Sequence, residues 1–122
     1  FDLNVVFGGL FPHANIIEMN KYANNYDYNK AVYIMSEFKF LENGFFMLRE
    51  NKAISSPIAT ANYEFYDDLD TLKMHLKDQK DNIQCIVSNM DIEGAVAFGD
   101  AQKPTLWDYA DGRDTMDFLL SL

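Results

Sequence analysis

The hydrophobic period of the chain changes within residues 57–76, and no other feature constrains the fold as strongly. Side chains in "PIATANYEFY" alternate between two sides, as they do along a β-strand. Directly afterwards, Asp67 and Asp68 offer the side-chain oxygens of a helix N-cap. Three leucines then recur at the spacing of one helical face: Leu69, Leu72 and Leu76. The pattern predicts a strand followed by a helix that runs to about Lys80.

Segments on either side of this stretch add further elements. The spacing in "NNYDYNKAVYIMSE" predicts a helix from about Tyr26 to Glu37. Its apolar face is expected to be Tyr28, Val32 and Met35, and its N-cap Asn24, Asn25 or Asp27. The turn dipeptide and apolar residues of "NGFFMLRE" predict a strand, and the short run "IQCIVS" predicts a strand covered on both faces. The opening "FDLNVVFGGLFPHANIIE" predicts a short helix, a turn and an extended stretch.

The carboxyl-terminal part, "AVAFGDAQKPTLWDYADGRDTMDFLLSL", predicts a strand end, a loop and a last helix capped by Asp114 or Thr115. Within it, "DYADGRD" is acidic but lacks the alternating acids and final glutamate of a calcium loop, so we expect a solvated turn. Together the elements predict an α/β fold with a mixed sheet and about three helices. If the strands on either side of the middle helix are parallel, their crossover should be right-handed.

The length of the chain limits its organisation. A chain of 122 residues, 48% of them hydrophobic, can bury one core but not the cores of two ordinary domains. No repeat, low-complexity tract or linker interrupts it. We therefore expect residues 1–122 to form a single unit. Because the sequence opens at Phe1 in an apolar run without a leader, we expect this unit to be part of something longer.

Charge and cysteine content exclude several classes of protein. Nineteen acidic residues against ten Lys and Arg give a net charge of −9, which repels nucleic acid and anionic membrane surfaces. The apolar runs are too short for a membrane-spanning helix. A single cysteine cannot form an internal disulfide, so the sequence favours a reducing, cytoplasmic location.

The cysteine and the two histidines are the first candidates for chemistry. Cys85 lies between apolar residues in "IQCIVS", which predicts a buried, structural thiol that alkylating reagents reach slowly. His13 and His75 have no partner at the spacing of metal ligands, so we expect no metal site. No complete catalytic constellation is present in the sequence.

Several segments carry a resemblance to a known family. In chain order they are "NGFF", "SSPI", "TANYEFY", "DDLDTL", "IQCIVS" and "AFGD". Their order and spacing resemble those of the aldehyde dehydrogenases. The longer stretches "NKYANNYDYNKAVYIM", "LENGFFMLRENKAISSPIATANYEFYDDLD", "DNIQCIVS" and "AFGDAQKPTLWDYADGRDTMDFLLSL" together resemble the carboxyl-terminal third of the acyl-CoA reductases of the bacterial luminescence type, which are themselves similar to the aldehyde dehydrogenases. The similarity extends over nearly the whole chain. It implies that the chain is a fragment of an aldehyde-dehydrogenase-like catalytic domain.

The activity implied by this resemblance is that of an NADPH-dependent fatty acyl-CoA reductase. Such an enzyme transfers an acyl group from coenzyme A to a cysteine and reduces the thioester to an aldehyde. The resemblance places the nucleophilic cysteine and most of the dinucleotide-binding half before Phe1, so Cys85 does not match the nucleophile. The isolated chain is therefore expected to be inactive. The alternative is a non-catalytic binding or assembly module that has kept this part of the fold.

The resemblance also assigns residues to the cofactor and the substrate. Ser55, Ser56 and Pro57 correspond to a loop on the cofactor side, and Phe98 to an aromatic residue near the substrate. Ala53 stands where the dehydrogenases carry a glutamate that contacts the nicotinamide ribose, and its side chain cannot accept that hydrogen bond. As a fragment, the chain should expose apolar side chains and self-associate or form a homo-oligomer, with Phe45, Phe46 and Leu48 as the expected exposed residues.

Overall fold

The computed structural model describes residues 2–109 and 114–122, in two compact units, Phe1–Phe65 and Tyr66–Leu122. The first unit contains α1 (Asn4–Leu10), a 3-10 helix (Phe11–Glu18), α2 (Asn20–Met35), β1 (Phe40–Glu42), β2 (Met47–Glu50) and β3 (Thr60–Tyr63). The second contains α3 (Leu69–Asp78), a 3-10 helix (Lys80–Asn82), β4 (Ile86–Val87), β5 (Ala95–Val96) and α4 (Thr115–Leu120).

The expected α/β class with a small mixed sheet is confirmed, with four α-helices rather than about three in the described residues. The likeness to an aldehyde dehydrogenase domain and the single unit stay predictions. The centre of "DYADGRD", residues 110–113, lies outside the described residues. In the part of the chain that is described, no helix is long and apolar enough to cross a membrane.

The sheet of the first unit has the strand order β1-β2-β3. β1 and β2 form an antiparallel hairpin in which Leu41 pairs with Leu48. Its turn is built by Asn43, whose Oδ1 accepts hydrogen bonds from the backbone N–H groups of Phe45 (3.3 Å) and Phe46 (2.9 Å). Gly44 adopts a φ of 92°, a conformation that glycine reaches without strain. The strand predicted in "NGFFMLRE" is confirmed in its second half, whereas β1 was not predicted.

The second pairing of this sheet is parallel. β2 and β3 run side by side in the same direction, with Leu48 opposite Ala61. Residues 51–59 connect the two strands, fewer than the dozen or so that a parallel connection usually needs, and contain no helix. The carboxyl ends of β2 and β3 therefore meet at one edge of the sheet. β4 belongs to a different sheet from β3, so the two strands that flank α3 are not paired.

Helix α2 begins at Asn20, well before the predicted start at Tyr26, and ends at Met35. The predicted caps lie inside the helix rather than at its start. Asn25 illustrates why: its side-chain amide donates to the carbonyl of Lys21 at 2.7 Å, a bond that an asparagine within a helix can make. Before α2, the predicted short helix is confirmed as α1, whereas a 3-10 helix forms where a turn and an extended stretch were predicted.

The buried face of α2 is formed by tyrosines and differs from the predicted face. Tyr26 and Tyr33 are buried and pack in the core with Met47 and Ala59. The predicted face was wrong for Tyr28, which is 68% exposed, and for Met35, which is 84% exposed. Its third member, Val32, is partly buried against the core, as predicted. Hydropathy alone favours a methionine over a tyrosine for the core. Tyr26 can be buried because its hydroxyl group finds a hydrogen-bond partner within the unit.

The apolar side chains expected at the surface of the first unit lie inside it. Phe45 is 6% exposed and Leu48 is 3% exposed, and Phe46 is half-buried. Phe45 is covered where the hairpin folds against α2, and there the hydroxyl of Tyr22 donates to the Phe45 carbonyl at 2.8 Å. The choice of these residues as exposed apolar surface was therefore wrong.

The second unit is organised by local interactions. The carboxylate of Asp68 caps α3 by accepting from the backbone N–H of Thr71 at 2.7 Å, and the helix runs to Asp78, close to the predicted end. Asp114 caps α4 by accepting from the N–H groups of Met116 and Asp117. Both predicted caps are confirmed. No described residue of this unit is buried, and Leu106 and Trp107 are 91% and 80% exposed.

Candidate functional site

The only cysteine in the sequence, Cys85, is exposed and lies just before β4. The expectation of a buried thiol in a strand covered on both faces was wrong. β4 has two residues and pairs with an equally short β5. So small a sheet does not cover the neighbouring residues, and even Val87 within β4 is 39% exposed. Apolar neighbours in the sequence indicated burial, but burial requires a covering layer.

Alkylation of Cys85 should therefore be fast in the folded chain. We expect iodoacetamide to label it at a rate close to that of the chain in denaturant, because access does not depend on local unfolding. Mass spectrometry of time points measures both rates, and a Cys85→Ser variant gives the background. Labelling that is slower by orders of magnitude in the folded chain would contradict the exposed position.

The loop of residues 51–59 contains the serines and proline that were assigned to the cofactor. Asn62 on β3 holds this loop, with its side-chain amide donating to the carbonyls of Ala53 (2.8 Å) and Ser55 (3.0 Å). The hydroxyl of Ser56 donates to the carbonyl of Thr60 at 2.7 Å, and the carbonyl of Pro57 accepts from the Thr60 N–H at 3.1 Å. The loop is thus an ordered structure whose polar groups are largely used to maintain it.

The other sequence candidates, Phe98, His13 and His75, are all exposed. Phe98, assigned to the substrate, follows β5 in the second unit and is 69% exposed. Among the described residues, no group of three His, Cys, Asp or Glu side chains is arranged to hold a metal ion. His13 is exposed after Pro12, and His75 is exposed on α3.

A partly buried group of hydrogen bonds joins α2 to the hairpin of β1 and β2. Glu42 accepts from the hydroxyl of Tyr26 and from the ammonium of Lys30, the latter at 2.8 Å. The hydrogen bonds from Lys30 and Tyr26 lower the pKa of Glu42. The pKa of Tyr26 is raised, first by burial and then by the hydrogen bond to Glu42. The hydroxyl group of Tyr26 therefore stays protonated and acts as a hydrogen-bond donor. The contact has the chemistry of a structural clamp, because a protonated phenol and a paired carboxylate supply neither nucleophile nor base.

This clamp should make the first unit acid-sensitive. The pKa of Glu42 is lower in the folded state than in the unfolded state. The contribution of Glu42 to the free energy of unfolding is therefore complete above its unfolded-state pKa, and it is lost as the pH falls through its folded-state pKa. We expect Glu42→Gln to reduce the free energy of unfolding at neutral pH by about 1 kcal/mol, a modest value because the pair is partly exposed.

Urea unfolding of the wild-type and Glu42→Gln chains over a range of pH measures this effect. The difference between them should shrink towards acid pH, whereas Glu18→Gln, a change at an exposed glutamate, should show no such trend. A difference for Glu42→Gln that is the same at every pH would contradict the clamp.

An open cleft of about 580 Å³ lies where β2 and β3 end, within the usual range for small-molecule sites. Parallel strands of α/β proteins commonly bind ligands at their carboxyl ends. The cleft combines three cations, two carboxylates, an amide and two aromatic rings. Its lining residues are Phe38, Lys39, Arg49, Glu50, Asn51, Lys52, Glu64 and Phe65.

Arg49 holds a fixed position in this cleft. Its guanidinium lies 3.8 Å from the ring centre of Phe38 and 5.1 Å from that of Tyr33. Among the described residues, no carboxylate lies within 4.0 Å of its nitrogens and no acceptor is hydrogen-bonded to them. Stacking occupies the face of the guanidinium and leaves the N–H groups at its edge available to a ligand.

Sequence reasoning did not identify Arg49, although the sequence contains a signal for it. Arg49 follows Met47 by two residues in a strand, so both side chains point to the same face of the sheet. Met47 is fully buried on that face. A cation next to a core position needs an aromatic or anionic partner, and here Phe38 and Tyr33 provide the aromatic one.

Comparison with known proteins gives no relative: no family model matches the chain, and it matches neither a curated protein nor a solved structure.

Proposed function

We propose that the chain is the carboxyl-terminal segment of an NADPH-dependent fatty acyl-CoA reductase of the cytoplasm. In the proposed reaction, a cysteine upstream of Phe1 attacks the acyl-CoA carbonyl, coenzyme A leaves as a thiol, and a thioester remains on the enzyme. NADPH supplies the hydride that reduces this thioester to an aldehyde and frees the cysteine.

The observation that carries the proposal is the order of elements between Asn43 and Leu72. There the chain forms a strand, an ordered loop, a second strand and a helix capped by Asp68, which is the order of the resemblance. The proposal is thus supported by the order of these four elements and by the sequence resemblance of the segments that form them. Among the described residues, no histidine is hydrogen-bonded to Cys85, which is exposed. Cys85 therefore lacks the base that would activate a nucleophile, in agreement with a catalytic cysteine located elsewhere.

The loop of Ser55, Ser56 and Pro57 does not fit a dinucleotide by itself. The hydroxyl of Ser56 donates to a backbone carbonyl, the carbonyl of Ser55 accepts from Asn62, and Ala53 offers no polar side-chain atom. In the proposal, therefore, the preceding part of the enzyme binds the cofactor and this loop only borders it. Phe98, with its exposed ring, would contact the acyl chain.

The isolated chain is expected to show no reductase turnover, because the reaction requires the nucleophile and the dinucleotide fold. The measurement is NADPH consumption by purified Phe1–Leu122 with a long-chain acyl-CoA. Sustained turnover by this chain would contradict the proposal.

The alternative, a non-catalytic binding or assembly module, is favoured by one observation. The second unit exposes large apolar side chains, including Leu106 and Trp107, and such surfaces often bind other chains. The coding sequence upstream of this segment distinguishes the two proposals. An upstream, in-frame stretch with a cysteine and a glycine-rich strand supports the reductase, and its absence supports the module. As a fragment, the isolated chain is expected to self-associate, which light scattering measures. A strictly monomeric chain at high concentration would instead favour a complete, independent module.

A further inference from the structure

We propose that the cleft at the ends of β2 and β3 binds a phosphate monoester that carries a flat ring. None of Ser55, Ser56, Pro57 and Phe98, to which the resemblance assigns cofactor and substrate, lines this cleft. The proposal rests on the geometry of the first unit alone, so it holds or fails separately from the proposed function.

Arg49 supplies the anion-binding group. A guanidinium presents several N–H donors in a plane and binds two oxygens of a phosphate at once. Stacking on Phe38 at 3.8 Å fixes that plane before a ligand arrives, so little conformational entropy is lost on binding. The donors have no acceptor among the described residues, although the chain carries nineteen acidic side chains for ten Lys and Arg.

Two lysines and two glutamates set the charge that the cleft accepts. Lys39 and Lys52 are exposed, and in the described part of the chain neither has a carboxylate within 4.0 Å. Glu50 and Glu64 line the same cleft, so three cations face two carboxylates. This balance suits a single phosphate better than a polyphosphate. The glutamates can accept hydrogen bonds from hydroxyl or amino groups of the ligand.

The flat ring is expected to stack on Phe65. One face of Phe38 is covered by Arg49, whereas Phe65 is 64% exposed. Its ring is held by an edge-to-face contact with Tyr63, with 5.7 Å between the ring centres. A nucleoside monophosphate has the three required parts, namely one phosphate, hydroxyl groups and a planar base.

Titration of the isolated chain with AMP, followed by NMR of backbone amides and arginine Nε–H groups, tests the proposal. AMP should shift the signals of Arg49 and of residues 50–52 and 64–65. Adenosine lacks the phosphate and ribose 5-phosphate lacks the ring, so both should bind more weakly. Added salt should weaken AMP binding. Absence of shifts at millimolar AMP would overturn the proposal, and so would adenosine or ribose 5-phosphate that binds as tightly as AMP.

Single substitutions test which residues of the cleft bind AMP. Arg49→Gln should weaken AMP binding by about tenfold or more, the usual effect of losing a charge-assisted hydrogen bond. Lys52→Gln should weaken it several-fold without affecting the fold, since Lys52 is exposed. Lys77→Gln, at an exposed position of α3, is the matched control and should bind AMP like the wild type. Unchanged affinity in Lys52→Gln and in a folded Arg49→Gln would overturn the assignment.

Discussion

Replacing Met47 with alanine should destabilise the first unit by about 2–5 kcal/mol, the usual range for truncating a large buried side chain. Met47 is fully buried at 0% exposure and packs from β2 against the tyrosines of α2 and Ala59. Its loss leaves a cavity in a core that has few other buried side chains. Because small domains are stable by only about 5–15 kcal/mol, this loss threatens folding of the unit.

Met35→Ala is the matched control, since Met35 is 84% exposed at the end of α2. It should change the free energy of unfolding by less than about 0.5 kcal/mol. Urea unfolding followed by near-ultraviolet circular dichroism of the tyrosines measures both variants. Equal effects of the two substitutions would contradict the described core.

Replacing Ala59 with valine should also be strongly destabilising, because of the backbone as well as the packing. Ala59 has a φ of 65°, a conformation that a β-branched residue rarely adopts, and it is 6% exposed within the core. We expect a cost of about 1–3 kcal/mol from backbone strain and about 1–3 kcal/mol from the added methyl groups.

Ala59→Gly separates these causes at the same position. Glycine adopts this φ without strain, and losing one methyl group costs little, so the variant should lie within about 1 kcal/mol of the wild type. Denaturant unfolding gives both values. A valine variant as stable as the glycine variant would show that residue 59 does not hold this conformation.

Local interactions were predictable from the sequence. Asp68 and Asp114 cap their helices as predicted, since each bond joins a side chain to the backbone two or three residues further along. The strand in "NGFFMLRE" was also predictable, because its turn dipeptide and apolar residues act within a few positions. In such cases the sequence contains both partners of the interaction.

Features that depend on distant partners were not predictable. The choice of Tyr26 rather than Met35 for the buried face of α2 depends on Glu42, which accepts the bond from the Tyr26 hydroxyl. The exposure of Cys85 depends on how little sheet forms around it. Ala59 gives no sequence signal for a positive φ, because alanine is common in helices and strands.

The candidate cleft was missed for the same reason. Its residues come from three separate stretches of the chain, which only the pairing of β1, β2 and β3 brings together. The parallel pairing of β2 and β3 has no signal in either strand alone. Arg49 could have been identified from the sequence, because it follows the core residue Met47 by two positions in the same strand and so lies on the same face of the sheet.

The most direct test of the proposed function is an assay of the protein encoded by the whole reading frame that contains this segment. The protein is incubated with a long-chain acyl-CoA, NADPH oxidation is followed, and the acyl-enzyme is trapped and mapped by mass spectrometry. We predict acyl-CoA-dependent NADPH oxidation, aldehyde release, and acylation at a cysteine upstream of this segment, with all three retained in a Cys85→Ser variant. A folded full-length protein that neither becomes acylated nor oxidises NADPH would contradict the proposal, and acylation at Cys85 would contradict the location of the nucleophile.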